Sequence, residues 1–193
     1  MNKMKLTLLM LGLAACSQAV AQKTPDRPVF YIGGSLGKAE AKEDACSSAV
    51  LPCDRKDTSW GAAIGLMFNR NWGTEIGYRS LGKISSQDDG AGNTAYVKAR
   101  AVEVLALAAL PVDPLTFYGK FGIYRAKLKL VSNFMAEDSN SNTGWTYGVG
   151  MRWDLAQHFG VLFDWQRYNS MGGGVVGFRT DVNVLTLGAV VRF

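Results

Sequence analysis

Apolar and polar residues alternate with a period of two through most of the chain beyond its first two dozen residues. Side chains of a β-strand point to opposite faces in turn, so this alternation predicts strands with one apolar face. Most segments are near the roughly 9–11 residues that a tilted membrane-spanning strand needs. The eight predicted strands are residues 29–38, 59–69, 72–81, 96–110, 115–131, 144–155, 159–169 and 182–193.

The sixth segment shows how strongly the two faces differ. One face carries Trp145, Tyr147, Val149, Met151, Trp153 and Leu155, and the other carries Thr146, Gly148, Gly150, Arg152 and Asp154. A soluble barrel also alternates, but it would not place glycine so persistently on its solvent face, because glycine weakens strands. Glycines and charges on one face instead indicate a narrow, crowded interior, and the large apolar residues are then expected to face lipid.

The connections between the segments alternate in length. Short turns are predicted at residues 69–71, 111–114 and 156–158, and long polar loops at 39–58, 82–95, 132–143 and 170–181. This pattern is typical of outer-membrane barrels, which have short periplasmic turns and long external loops. The prediction is an all-β fold, an eight-stranded antiparallel up-and-down transmembrane β-barrel with both ends on the periplasmic side.

The first residues have the pattern of a secretory signal. Two lysines precede a short apolar run, and Ala19, Val20 and Ala21 form a small-x-small cleavage site. Residues 1–21 are therefore expected to be a cleaved signal peptide, and residues 22–193 the barrel. A bacterial lipobox ending at Cys16 is the alternative, in which that cysteine would be lipidated. Both alternatives export the protein.

Two cysteines follow the signal region, Cys46 and Cys53, and both lie in the first long loop. An exported protein occupies an oxidising compartment, which favours a disulfide between them. Two free thiols are the alternative.

The last segment ends on Phe193, although chain ends usually fray. A strand that closes a barrel has no such freedom, so this segment is expected to pair with the first. Large aromatic residues of the apolar face are predicted to form two belts at the membrane interfaces. Trp60, Trp145 and Trp165 belong to the external belt, and Phe68, Trp72, Trp153 and Phe193 to the periplasmic one.

Four acids and four bases have inward parity in the predicted strands. They are Glu75, Glu103, Asp154 and Asp164, with Arg79, Lys120, Arg152 and Arg192. The lumen of an eight-stranded barrel is just wide enough for side chains to fill. An unpaired buried charge costs several kcal/mol, so these charges are predicted to pair into a plug. A gated ion path is the alternative.

Basic residues of outward parity cluster at the far ends of the fourth and fifth segments. They are Lys98, Arg100, Arg125, Lys127 and Lys129. With residues 111–114 as the turn, Val102 is predicted to face Ile123, Val104 to face Phe121, Arg100 to face Arg125, and Lys98 to face Lys127. The cluster would then lie about ten residues, or roughly 25 Å, above the turn.

Directly opposed like charges destabilise a strand pair unless an anion lies between them. The outer leaflet of a Gram-negative cell offers lipopolysaccharide phosphates at that depth. The hypothesis is therefore a lipopolysaccharide-binding cluster. A rim of cations that merely reach toward water is the alternative.

Catalytic and metal-binding patterns are weak. The one histidine, His158, lies in a predicted periplasmic turn with no serine nearby in sequence, and a lone histidine with a cysteine pair is not a zinc site. We expect no enzyme activity, no cofactor and no metal.

Several segments resemble the OmpA-like eight-stranded membrane barrel family. They are FYIGGSLG (30–37), GTEIGYRSLG (73–82), FYGKFG (117–122), GWTYGVGMRW (144–153), FDWQRY (163–168) and LTLGAVVRF (185–193). The resemblance covers nearly the whole processed chain. It implies that inward charges matching Glu75, Lys120, Arg152 and Asp164 form the plug, and that the last strand is read by the outer-membrane assembly machinery. We expect no peptidoglycan-binding domain after the barrel, so cell-wall anchoring is not carried over from the family.

The expected function is that of a monomeric integral protein of the Gram-negative outer membrane with a structural or host-facing role. Its expected partners are membrane lipids and lipopolysaccharide, the assembly machinery, and surface or host ligands at the external loops, but no nucleic acid. A narrow porin or transporter for small or hydrophobic solutes is the alternative.

Overall fold

The strands of the computed structural model close into a barrel. The model describes residues 27–42, 53–88, 94–132, 138–172 and 179–193. The strands are β1 (Val29–Ala41), β2 (Cys53–Asp54), β3 (Lys56–Met67), β4 (Trp72–Asp88), β5 (Thr94–Val112), β6 (Leu115–Ser132), β7 (Asp138–Asp154), β8 (Phe159–Gly172) and β9 (Arg179–Arg192). Eight of them are long, and β2 is a two-residue bridge to β4. Among the described residues, no helix is long and apolar enough to cross a membrane.

The long strands pair antiparallel in an up-and-down order, and β1 pairs with β9 to complete the circle. Gly34 lies opposite Ala189 across this seam, and the amide of Phe193 donates to the carbonyl of Phe30 at 2.9 Å. The predicted fold class and the predicted pairing of first and last strands are therefore confirmed. Closure removes both sheet edges, as a lipid environment requires.

The strands continue farther on the long-loop side than predicted. For example, β4 runs to Asp88 instead of residue 81, and β7 begins at Asp138 instead of residue 144. These extensions are paired with their neighbours, with two register shifts in β4, although their residues are largely polar. Outside the lipid, a strand does not need one apolar face. The alternation of apolar and polar residues therefore ends before the hydrogen-bonded strand does. Much of the predicted loop sequence is therefore strand.

The register predicted between the fourth and fifth segments, now β5 and β6, was wrong by two residues. Val102 faces Arg125, and Val104 faces Ile123. The cause is a tighter turn, because Val112 pairs with Leu115 and only two residues connect the strands. Pro111 stays in the strand since it lies beyond the last β4 partner, where its missing amide removes no ladder bond.

The interior has two zones of different chemistry. Charged and hydroxyl side chains fill the half nearer the short turns, and a buried apolar cluster fills the half nearer the long loops. The apolar cluster consists of Ala39, Ala41, Leu81, Val97, Ala99, Ala101, Tyr124, Ala126, Leu128, Tyr168, Met171, Val182 and Val184. The barrel therefore has a conventional packed core at its external end.

Candidate functional site: a charged lumen and a basic rim

The outer surface carries a broad apolar band, because large hydrophobic side chains point away from the barrel on every long strand. Leu36 is 66 % exposed and Phe121 is 60 % exposed, values that would be unusual in a protein surrounded by water. The band runs from Phe193 and its neighbour Phe30 up to residues such as Trp60 and Trp145. Its outward side chains require a lipid environment.

The predicted belt aromatics all lie on this outer face. Trp60, Phe68, Trp72, Trp145, Trp153 and Phe193 are exposed, and Trp165 is half-buried. Trp165 is partly covered because Tyr147 packs edge-on against it at 5.8 Å between ring centroids. Tyr147 also stacks on Trp145 at 5.4 Å, so three rings of β7 and β8 form one contiguous aromatic surface.

All eight predicted interior charges point into the barrel, and their central layer is built around Lys120. The Nζ of Lys120 lies 3.2 Å from Oε1 of Glu75 and 3.4 Å from Oδ1 of Asp164. Tyr31 donates to Glu75 at 2.7 Å, and Tyr118 donates to Asp164 at 2.8 Å. One cation thus lies between two carboxylates. Tyr31 donates to the second oxygen of Glu75, whereas Tyr118 donates to the same oxygen of Asp164 that Lys120 contacts.

A second layer lies on the external side of Lys120 and is organised by Glu103. Its Oε2 accepts hydrogen bonds of 2.7 Å from both Gln166 and Tyr168. Arg79 is a more distant partner, with Nε 3.9 Å from Oε1, and its Nη1 reaches Ser35 at 3.5 Å. The layer closes directly against the apolar cluster, of which Tyr168 is a member.

A third group lies at the short-turn end, where two arginines share one acid. Arg152 Nε and Arg192 Nη2 lie 2.9 Å and 3.0 Å from the same oxygen, Oδ1 of Asp154. Arg152 also donates to Thr116 at 3.3 Å. The charges are therefore balanced over the whole interior but not locally. The Lys120 layer has an excess of one negative charge, and the arginine pair has an excess of one positive charge.

The sequence pattern missed the polar partners of these charges. Tyr118, Gln166 and Tyr168 have the same inward parity as the charged residues on their strands, and Tyr31 shares the inward face of β1 with Gly33 and Ser35. Inward-facing tyrosines beside inward-facing carboxylates were the available signal, since a buried phenol needs an acceptor.

The five predicted rim cations all lie on the outer face of β5 and β6, but their partners differ from those predicted. Arg100 faces Lys127, Lys98 faces Lys129, and Arg125 faces Val102. The four cations Lys98, Arg100, Arg125 and Lys127 are exposed. The Arg100–Lys127 pair lies about a dozen residues, or roughly 30 Å, above the turn, which is somewhat higher than predicted.

A sixth cation, Lys83, joins this rim because of a β-bulge. The β4–β5 register shifts between Ser80 and Gly82, and Gly82 has a positive φ of 67°. The shift turns Lys83 outward, where it pairs with Lys98. Both ammonium groups lie over the ring of Tyr96, at 4.8 Å and 5.2 Å from its centroid. Counting alternate residues along β4 without the bulge would place Lys83 in the interior, so the sequence pattern did not predict it as a rim cation.

The opposite side of the rim is electrostatically different. There Asp181 of β9 binds Lys42 at 3.2 Å and also accepts from Arg167, while the Ser170 amide donates to its Oδ1 at 3.0 Å. Partial burial alone would raise the pKa of Asp181, but these three donors outweigh it and lower the pKa to about 2. The cations of this side therefore have a carboxylate that stays ionised.

Some predicted features lie outside the described residues. The signal peptide, Cys16 and Cys46 belong to this group, so the predicted disulfide to Cys53 stays a prediction. His158 is exposed in the turn between β7 and β8, where its carbonyl accepts from the Arg192 amide at 2.8 Å. Within the described part of the chain, no group of His, Cys, Asp and Glu side chains is arranged to hold a metal ion.

A closed antiparallel barrel with an apolar outer band and a charged interior defines an integral membrane β-barrel protein. Comparison with known proteins identifies the particular kind. A family model described as outer membrane protein beta-barrel domain matches residues 6–193. The chain belongs to this family, and it is a protein of the bacterial outer membrane.

The relatives are proteins of the OmpA type. The chain is 29 % identical over 198 residues to outer membrane protein A of Escherichia fergusonii, and 28 % identical over 207 residues to that of Serratia marcescens. Each alignment covers 98 % of this chain but 56 % of the relative, so the chain spans about half the length of these curated relatives.

Solved structures show the same fold. Neisserial surface protein A has a TM-score of 0.66 and 13 % identity, over 85 % of this chain and 97 % of that one. The Yersinia pestis attachment invasion locus protein Ail, solved in complex with the heparin analogue sucrose octasulfate, has a TM-score of 0.59 and 18 % identity, over 86 % and 99 % of the two chains.

Proposed function

We propose that this protein is a surface-exposed structural barrel whose basic rim binds the phosphate groups of lipopolysaccharide, and whose lumen is closed to solutes. Its role is to hold and order the outer leaflet around it, with the external loops available to surface ligands. The observation that carries the proposal is the patch of Lys83, Lys98, Arg100, Arg125 and Lys127 on three adjacent strands, here called the basic patch. We assign the barrel no catalytic role.

The basic patch lacks internal compensation. Among the residues whose side chains the structure describes, none of its five cations pairs with a carboxylate. The outward neighbours on β7 are Thr143 opposite Arg125 and Ser141 opposite Lys127, which are neutral. The Asp181 side of the rim shows that the same barrel places an acid among rim cations elsewhere.

Like charges directly opposed on neighbouring strands destabilise the sheet, and this cost is removed when an anion lies between them. Arginine presents a planar fork of donors that matches phosphate, and lysine adds a point charge. Both residue types lie immediately above the apolar band, where the phosphates of the outer leaflet lie. A rim that only extends toward water would not need cations packed this closely.

The test is a variant in which Lys98, Arg100, Arg125 and Lys127 are all replaced by Gln. We expect the lipopolysaccharide that co-purifies with each barrel in mild detergent to fall about tenfold or more, because several charge-assisted hydrogen bonds are lost together. The measurement is organic phosphate and lipid A per mole of folded barrel, after a heat-modifiability gel has confirmed folding.

The matched control carries Lys38→Gln, Lys42→Gln, Lys56→Gln and Arg179→Gln, four cations of the same rim that lie on β1, directly after β1, on β3 and on β9. Its change in net charge is the same, so we expect it to retain lipopolysaccharide near the wild-type amount. Equal losses in the two variants, or no loss in the first, would contradict a specific phosphate site.

Closure of the lumen rests on the two interior zones together. The buried Lys120 and Glu103 layers fill the barrel cross-section with paired polar groups, and an ion that passed them would meet the apolar cluster around Leu81, Tyr124 and Met171. A dry apolar core has no partners for a hydrated ion. An eight-stranded barrel has no room for a water-filled pore beside these side chains.

We therefore expect silence in planar bilayers. The amount of inserted barrel is first confirmed by gel. The bilayer should then show no sustained conductance steps in 1 M salt, because both interior zones must rearrange before ions can cross. A 16-stranded porin inserted in the same bilayer serves as the positive control. Reproducible steps that scale with the amount of inserted barrel would instead support the transport function.

A further inference from the structure

A cavity opens at the short-turn end of the barrel, below the Lys120 layer. Its volume is about 630 Å³, within the range of roughly 300–1,000 Å³ that is usual for small-molecule sites. Tyr31, Glu75, Tyr118 and Lys120 form its floor, and Arg70 and Asp113 of the turns lie at its mouth. Short turns of outer-membrane barrels face the periplasm, so the cavity is reached from that side. We call it the periplasmic vestibule.

The vestibule contains an unbalanced arginine pair. Arg152 and Arg192 share Asp154, and the remaining charged lining residues are Arg27 and Arg70 against Asp113, apart from the floor residues. Arg192 has no carboxylate of its own, and it also lacks hydrogen-bond acceptors for some of its N–H groups. Its Nη2 reaches the carbonyl of Ala156 at 3.4 Å, and its Nε is buried with no hydrogen-bond partner.

Apart from Asn69 and Thr116, the remaining wall is apolar. Val29, Met67, Leu107, Leu115, Leu162 and Val190 line the space between the arginines and the floor. Cationic groups at the mouth and apolar side chains behind them would accommodate an anion whose body is uncharged and apolar. A bare inorganic anion would use the guanidinium groups but leave the apolar wall in contact with water.

We propose that the periplasmic vestibule binds a small organic phosphate with an apolar body. The phosphate lies between the guanidinium groups of Arg152 and Arg192, and the body lies against Leu107, Leu162 and Val190. Asp154 opposes the ligand, because it occupies donors that the phosphate would use. This site is separate from the basic patch, which lies at the other end of the barrel.

Phenyl phosphate is a suitable probe, since it is soluble and joins a phosphate to one apolar ring. Barrel labelled with ¹⁵N-arginine in zwitterionic lipid nanodiscs would be titrated with phenyl phosphate, with inorganic phosphate and with phenol. We expect the Arg192 Nε–H resonance to move on saturation with phenyl phosphate, and inorganic phosphate and phenol to bind at least about tenfold more weakly.

Three variants separate binding from structural damage. Arg152→Gln and Arg192→Gln should each weaken phenyl phosphate binding about tenfold, whereas Asp154→Asn should strengthen it severalfold because an opposing carboxylate is gone. Lys38→Gln, at the opposite end and outside the basic patch, should leave it unchanged. The proposal is overturned if phenyl phosphate causes no saturable shift, if phenol binds as tightly, or if Asp154→Asn weakens binding as the arginine variants do.

Discussion

Replacing Lys120 by Met is expected to lower the free energy of unfolding by about 3–5 kcal/mol, because it leaves two buried carboxylates without a cation. Glu75 and Asp164 both lie within 3.4 Å of the ammonium group, and the side chains of all three are at most 6 % exposed. Methionine has a similar length and flexibility, so the change removes charge with little change in volume. The measurement is urea-induced unfolding in lipid vesicles, followed by tryptophan fluorescence.

Two further variants assign the loss to charge. The triple variant Lys120→Met, Glu75→Gln and Asp164→Asn has no uncompensated charge in this layer, so it should recover most of the lost stability. Lys127→Met changes an exposed lysine farther along the same strand, on its outer face, and should stay within about 0.5 kcal/mol of wild type. An unchanged unfolding midpoint in Lys120→Met would mean that the two acids do not depend on this lysine.

The membrane-spanning part of the fold was predictable from sequence, because lipid requires one apolar face on each strand and so imposes the alternation of apolar and polar residues. A residue such as Ile76 must face outward between inward Glu75 and Gly77, and a strand with that alternation has one orientation. The parity of all eight interior charges follows from the same rule. Closure was predictable because the first and last segments otherwise leave unpaired edges in lipid.

The external ends were not predictable, because the constraint is absent there. The first residues of β7, from Asp138 to Thr143, are polar on both faces and form strand only because β6 pairs with them. The bulge at Gly82 likewise has no signature in a pattern of period two, yet it decides that Lys83 lies outside the barrel.

The local charge imbalance in the lumen could not be predicted from sequence, because it depends on how strands that are distant in sequence are arranged around the barrel. That Lys120 of β6 lies between Glu75 of β4 and Asp164 of β8 depends on the stagger around the whole barrel, and the sequence offers only the totals. Those totals are equal, and they conceal an excess negative charge at the centre and an excess positive charge in the vestibule. The proposed closed centre and the proposed anion site therefore rest on how the charges are distributed, and not on their overall balance.

Two glycines of one strand, Gly122 and Gly119, should respond in opposite ways to valine. A Cβ on Gly122 would lie 2.0 Å from the carbonyl oxygen of Val104 and 2.8 Å from the Cα of Leu105. Both are backbone atoms of β5, so β5 and β6 must separate before the side chain fits. We expect Gly122→Val to cost about 3 kcal/mol or more, at the upper end of overpacking penalties, and to reduce the yield of folded barrel.

Gly119 is the matched control, because nothing lies within 4 Å of its Cβ position and it faces lipid between Phe117 and Phe121. Valine there adds apolar surface to the band and has a better strand propensity than glycine, so Gly119→Val should match or slightly exceed wild type in stability. Heat-modifiable folded fraction after refolding into vesicles, together with the urea midpoint, measures both variants. Equal behaviour of the two would contradict the close approach of β5 to Gly122, and with it the inward and outward assignment of β6 on which the charged lumen depends.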